Sequence, residues 1–167
     1  WTIVDKPGTY RGKCTELCGK NHGFMPVVVK VVPQDEYDAW VQEKKEAAFR
    51  MAELTEKEWS VSELAERGEG VYLKNCVACH QVNGQGITGI FPKLAGSDIV
   101  LNDKARNIEI LMEGVQGAAM QSFANQLSEV DMASVITYSR QAWGNAENGD
   151  GEIVVPKDIV EYKKPKV

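Results

Sequence analysis

The chain has 167 residues, 43% of them hydrophobic and 26% charged, an ordinary globular composition with room for one domain or two small ones. Its longest apolar runs, Val27-Val28-Val29 and Val31-Val32 on either side of Lys30, are far too short to span a bilayer. The net charge of −5 is uneven: residues 1–33 are net basic and residues 34–75 net acidic, which argues against nucleic acid. The acidic stretch reads either as a solvated Glu-rich helix or as a surface suited to a basic protein partner. Trp1, in place of Met, is expected to mark a fragment or processed product, which leaves open a membrane anchor upstream.

In chain order, Thr2-Ile3-Val4 is strand-like, Lys6-Pro7-Gly8 is a turn, and Tyr10 to Lys13 leads into a Cys-containing loop. Val27 to Val32 is a second β-branched run, ended by Pro33. From Asp35 the period becomes helical. Tyr37, Trp40, Val41, Lys44, Ala48 and Met51 fall on one stripe, and the helix is expected to end near Leu54 or Trp59. Helices are then predicted over Ser62 to Asn75, over Asp103 to Gly114, and from a capping box at Ser128-Glu129-Val130-Asp131 to a stop at Gly144. A Gly/Asn/Asp-rich turn and a Lys-rich end follow. The fold class is mainly α with a β N-terminus.

The four Cys form two tight pairs, Cys14/Cys18 and Cys76/Cys79, and the two His each follow one pair, at His22 and His80. Such concentration of soft ligands is hard to explain as packing. Cys76-Val77-Ala78-Cys79-His80 is the attachment signature of a c-type haem: two thiols three apart add to one porphyrin edge, and the adjacent His reaches the iron. A thioredoxin-like pair would need a βαβ context, and zinc a second ligand pair at finger spacing. For the sixth iron ligand the candidates are Met112, Met120 and Met132. Met112 and Met132 sit at helical spacing among apolar neighbours, whereas Met120 follows Gly117-Ala118-Ala119 in an expected loop. In the first cluster, Cys14, Cys18, His22 and Met25 place two thiolates, an imidazole and a thioether within twelve residues, a soft set suited to copper. A Cys14–Cys18 disulfide or a single zinc are the alternatives.

Residues 62–144 resemble class I cytochrome c domains: Gly68 and Tyr72 before Cys76 match the family's first helix, and Val135 and Tyr138 match the facing positions on its last. The resemblance implies that Met120 is the axial ligand opposite His80, and that Pro92, in Phe91-Pro92-Lys93-Leu94, offers its carbonyl to the His80 ring. Gln121 stands where the family often has Pro. Cys14 to Pro26, with Gly19-x-Asn21-His22 and Met25-Pro26, resembles the binuclear copper A (CuA) loop of cytochrome c oxidase subunit II. That implies Cys14 and Cys18 as bridging thiolates, His22 as a terminal ligand, and Met25 and the Glu16 backbone carbonyl as weak axial ligands. The family supplies a second His from an upstream strand, and His80 is committed elsewhere, so copper A is expected to be incomplete in these residues.

Together the resemblances imply a subunit II fused to a cytochrome c domain. The expected domains are 1–42 (end of the copper cupredoxin domain), 43–61 (connecting helix), 62–146 (cytochrome c domain) and 147–167 (tail). The implied function is electron transfer from a soluble or membrane-bound cytochrome c-type donor, through haem c and CuA, to haem a of oxidase subunit I. The oxygen chemistry lies in that other subunit and no residue here is catalytic. The implied location is the extracytoplasmic, periplasmic side of a bacterial inner membrane. A nitrous oxide reductase-type fusion and a stand-alone carrier are the alternatives.

Overall fold

A computed structural model describes residues 3–16 and 18–163. The chain divides into two compact units between Arg50 and Met51.

In the first unit, β1 (Gly8–Lys13) and β2 (Pro26–Val31) pair antiparallel, with Tyr10 opposite Val29 and Lys13 opposite Pro26. The ladder is closed by Cys14 N–H donating to Met25 O at 3.2 Å, so the intervening residues form a loop held at both ends. Of the predicted strand Thr2-Ile3-Val4, Thr2 lies outside the described residues, while Ile3 and Val4 are irregular. A strand needs a partner for its backbone groups, and the described sheet pairs β2 with Gly8 to Lys13 only. The strand therefore starts at Gly8, inside the expected turn, and the Tyr10 hydroxyl donates back to Lys6 O at 2.8 Å. Helix α1 (Gln34–Glu56) follows, its first turn rich in acids that suit the positive end of the helix dipole. Tyr37 and Trp40 stack on its stripe with ring centroids 5.9 Å apart.

The second unit is helical: α2 (Val61–Asn75), α3 (Val77–His80), α4 (Asp98–Asn102), α5 (Lys104–Glu113), α6 (Glu129–Gln141), α7 (Asn145–Asn148) and α8 (Pro156–Lys163). Ser60, rather than Ser62, begins α2: its hydroxyl accepts from Glu63 N–H while Glu63 accepts from Ser60 N–H, a reciprocal capping box. Asp103 caps α5 through Arg106 N–H, and Ser128 caps α6 through Asp131 N–H. The core is the packing of α2 on α6, with Leu64, Tyr72, Val130 and Met132 essentially without solvent contact. It is possible because residue 68 has no side chain. A Cβ there would stand 2.0 Å from Ser134 O and 2.7 Å from Tyr138 Cβ. The facing positions are thus Ser134 and Tyr138, while Val135 contributes to the buried cluster.

Helix α6 ends at Gln141, short of Gly144, because Trp143 adopts a left-handed conformation (φ 57°, ψ 27°) that turns its ring back over Tyr72 and Tyr138, at centroid distances of 5.1 and 5.5 Å. The tail is ordered onto the same core. Val154 exchanges two hydrogen bonds with the Thr137 hydroxyl, and Val154 and Ile159 are fully buried. The buried Arg140 ties three segments together, donating to Val100 O and Leu101 O of α4, to Glu152 O and to the Asp150 carboxylate.

Candidate metal centres

The hairpin loop gathers the first cluster. Ligand atoms of Cys14, Cys18 and His22 all lie within 4.8 Å of one another. The two sulfurs are 3.4 Å apart, far beyond a disulfide bond, and both Cys are free. His22 Nδ1 is 3.5 Å from Cys18 Sγ, Met25 Sδ is 3.1 Å from it, and the Cys14 thiol donates to Glu16 O at 3.2 Å. All five groups singled out in the sequence therefore converge on one point. The cause is local: the ladder fixes Cys14 against Met25, and a 3-10 turn at His22–Phe24 brings the imidazole beneath the thiols. The neighbouring Cys14 thiol, with some help from desolvation, raises the Cys18 pKa. The donor set fits a soft ion such as copper, and its single imidazole is one short of a binuclear centre with two.

The second cluster sits where α2 hands over to α3. Cys76 is both C-cap of α2 and N-cap of α3, so the helical turn Val77–His80 brings Cys79 and His80 onto the same side as Cys76. Burial, and secondarily the neighbouring Cys79, pushes the Cys76 thiol up to about 11. His80 Nδ1 lies 2.9 Å from Pro92 O. A carbonyl only accepts, so Nδ1 carries the proton and the Nε2 lone pair is left to bind a metal.

Pro92 reaches this position because Gly86, at φ +63°, allows it. A Cβ there would meet Phe91 O at 2.3 Å and Pro92 O at 2.5 Å. Two more residues pin the segment after His80: the Tyr72 hydroxyl donates to Gln81 O at 2.6 Å, and Trp143 Nε1 donates to Val82 O at 3.1 Å. Asn145 holds the next turn, accepting from Gly96 N–H at 2.8 Å and donating to Leu94 O at 3.2 Å. Sequence reasoning missed Gly86, Trp143 and Asn145. Gly86 carried a signal in its spacing between His80 and Pro92, whereas the other two act only through the turn that ends α6.

Met120 lies half-buried against the core in the loop between α5 and α6. Its carbonyl accepts from Val115 N–H at 2.9 Å, and the Ser122 hydroxyl fixes the next residues by donating to Met112 O at 2.5 Å. Met132 is fully buried and Met112 nearly so, both as packing residues. Cys76, Val77, Leu94 and Met120 form a half-covered apolar margin of the core. Two free thiols, an oriented imidazole, a thioether and this margin fit a flat apolar macrocycle bound through sulfur.

The chain carries a soft-metal hairpin and, later in sequence, a helical cytochrome c-type domain, and comparison with known proteins agrees. Residues 63–138 match the family described as cytochrome c oxidase, cbb3-type, subunit III, and residues 1–32 match the periplasmic domain of cytochrome c oxidase subunit II. Cytochrome c oxidase subunit 2 of Alkalihalophilus pseudofirmus is 31% identical over 150 residues, covering 84% of this chain and 41% of the relative. Probable cytochrome c oxidase subunit 2 of Rickettsia bellii is 52% identical over 48 residues, 29% of this chain and 18% of the relative. The cytochrome c subunit of a quinone alcohol dehydrogenase from Gluconobacter oxydans is 35% identical over 92 residues, 49% and 19% respectively. The chain thus spans less than half the length of these relatives. Its N-terminal part is similar to a segment of the cytochrome c oxidase subunit II periplasmic domain and its helical part to cytochrome c domains.

Proposed function

We propose that the chain is the electron-transfer part of a terminal-oxidase subunit II, receiving electrons at its cytochrome domain and delivering them toward oxidase subunit I. The observation that carries this is the presence in one chain of two soft-ligand clusters, one on the hairpin and one at the α2–α3 junction. Bound there, a c-type haem and copper supply one-electron couples. The protein's own work is binding and orientation. Cys76 and Cys79 would hold the haem covalently, His80 and Met120 would offer nitrogen and sulfur to its iron, and Pro92 holds the His80 ring at Nδ1. On the hairpin, Cys14, Cys18, His22, Met25 and the Glu16 carbonyl form the copper face.

Membership in an oxidase rests on the subunit II relatives. The donor, taken to be a soluble or membrane-bound cytochrome c-type protein, and the extracytoplasmic setting follow from this reading. No described helix is long and apolar enough to cross a membrane.

The test is production of the chain in a host that matures c-type haem. Mass analysis and haem staining after denaturation are expected to show one covalent haem, with the linkage abolished in a Cys76→Ser, Cys79→Ser double variant. A haem-free or extractable product would overturn the reading. The copper face lacks a second imidazole, so the same material is expected to bind well under about two coppers per chain. A ratio near two with a purple mixed-valence spectrum would contradict that expectation.

A further inference from the structure

The residue after His80 has an unusual backbone. Gln81 sits at φ 62° and ψ 161°, a region that glycine adopts freely and that a side chain crowds. Trp143, at φ 57° and ψ 27°, lies in the common left-handed helical well, whereas Gln81 does not. Every other positive-φ position among the described residues is a glycine. A conformation of this kind persists only where its surroundings hold it.

The Gln81 N–H stays with α3, donating to Val77 O at 2.9 Å, while the Gln81 carbonyl accepts from the Tyr72 hydroxyl at 2.6 Å. Tyr72 is buried on α2 against Tyr138 and Trp143, so its hydroxyl is a fixed anchor. Beyond Gln81 the chain closes on itself. Gly86 N–H donates to His80 O at 3.0 Å, and Ile87 and Phe91 exchange backbone bonds at 2.9 and 2.8 Å. The segment is thereby held as one piece up to Pro92, whose carbonyl is 2.9 Å from His80 Nδ1. Gln81 is the joint between the imidazole and its acceptor.

We propose that Tyr72 is a positioning residue for His80: its hydroxyl holds Gln81 in the strained turn, and the held turn sets how closely Pro92 O meets Nδ1. The inference rests on the electron-transfer reading above and deepens it, because that bond governs how strongly the imidazole donates to an iron. A tight Nδ1–H bond makes the ring a better donor, which favours the ferric state. Without the hydroxyl, Gln81 relaxes toward negative φ and draws Pro92 O away. The balance then shifts toward the ferrous state.

The test uses the haem-loaded chain with Tyr72→Phe, with Gln81→Gly, and with the two combined. Solvent exchange of the His80 Nδ1 proton, read by NMR in the reduced state, is expected to quicken about fivefold in Tyr72→Phe, the size of one net hydrogen bond. The ferrous-to-ferric ratio at fixed potential is expected to rise about threefold, a midpoint about 28 mV higher at about 59 mV per tenfold. Glycine needs no tie to stay in this turn. Gln81→Gly alone, and the combined variant, are therefore expected to keep both readings within about twofold of the parent. Gln81→Val crowds the turn without touching Tyr72 and is expected to reproduce the Tyr72→Phe changes, which gives a second test if Tyr72→Phe folds poorly. Unchanged exchange and midpoint in Tyr72→Phe or Gln81→Val, or the same change in Tyr72→Phe with and without Gln81→Gly, would overturn the proposal. Failure of the chain to hold a covalent haem reducible by dithionite would instead overturn the electron-transfer reading itself.

Discussion

At His80 one hydrogen bond does chemical work out of proportion to its strength. Donation from Nδ1 to Pro92 O fixes the tautomer and the ring plane together, which leaves Nε2 as the only metal-binding atom of the ring. The three methionines show how place separates one residue type into two roles. Met132 is fully enclosed and Met112 nearly so, whereas Met120 sits on the open margin of the core. Met120→Leu is therefore expected to abolish the sulfur-to-iron charge-transfer band of the oxidised haem protein with little loss of stability. Met132→Leu, a volume-conserving core change, is expected to keep the band and cost under about 1.5 kcal/mol. Absorption spectra and denaturant midpoints of the two variants check both.

Among the elements, α2 carries the most consequences, because it delivers the Cys76–His80 turn and also builds the core. Gly68→Ala would force the Cβ into the Ser134 carbonyl. Backbone cannot yield as a side-chain tip can, so the helices must separate, at a cost of about 1–3 kcal/mol measured as a lower denaturant midpoint. At the other end of the helix, Lys57 and the Ser60 backbone and hydroxyl hold the Glu63 carboxyl at about 2, well below its ordinary value. A lowered folded-state pKa means stability that is complete above the unfolded value of about 4.3 and lost as pH falls to about 2. The Tm difference between the parent and Glu63→Gln is thus expected to shrink across that window and level off below it. Thermal melts from pH 6 to pH 2 measure this; the effect is small because the cap is exposed.

For the whole molecule, the helical unit is completed by its tail. Val154 and Ile159 enter the same buried cluster as Tyr72 and Met132, and Arg140 anchors Glu152 and Asp150 beside α4. Ile159→Ala is expected to cost about 2–5 kcal/mol, a loss typical of a fully enclosed aliphatic side chain, read as a lower denaturant midpoint of the haem-loaded protein. The Arg140 guanidinium holds the Asp150 carboxyl below the usual carboxylate range, so this anchor also weakens as the solution is acidified.

Both ligand clusters were legible in the sequence, because soft ligands at short spacing are constrained by local geometry. Cys76, Cys79 and His80 share one helical turn, and Cys14 to Met25 share one hairpin loop. The main helices were legible from their caps and period, to within a residue or two. What only the tertiary structure decided was everything that depends on an approach from far along the chain. Ile3 and Val4 have strand-forming side chains, yet the described ladder pairs only β1 with β2. Trp143 reads as a helical residue, yet the ring stack on Tyr72 and Tyr138 goes with its left-handed turn. The tail reads as featureless because its few apolar residues gain meaning only against α6. Spacing is local and is written in the sequence, whereas burial belongs to pairs of distant segments and exists only once they have met.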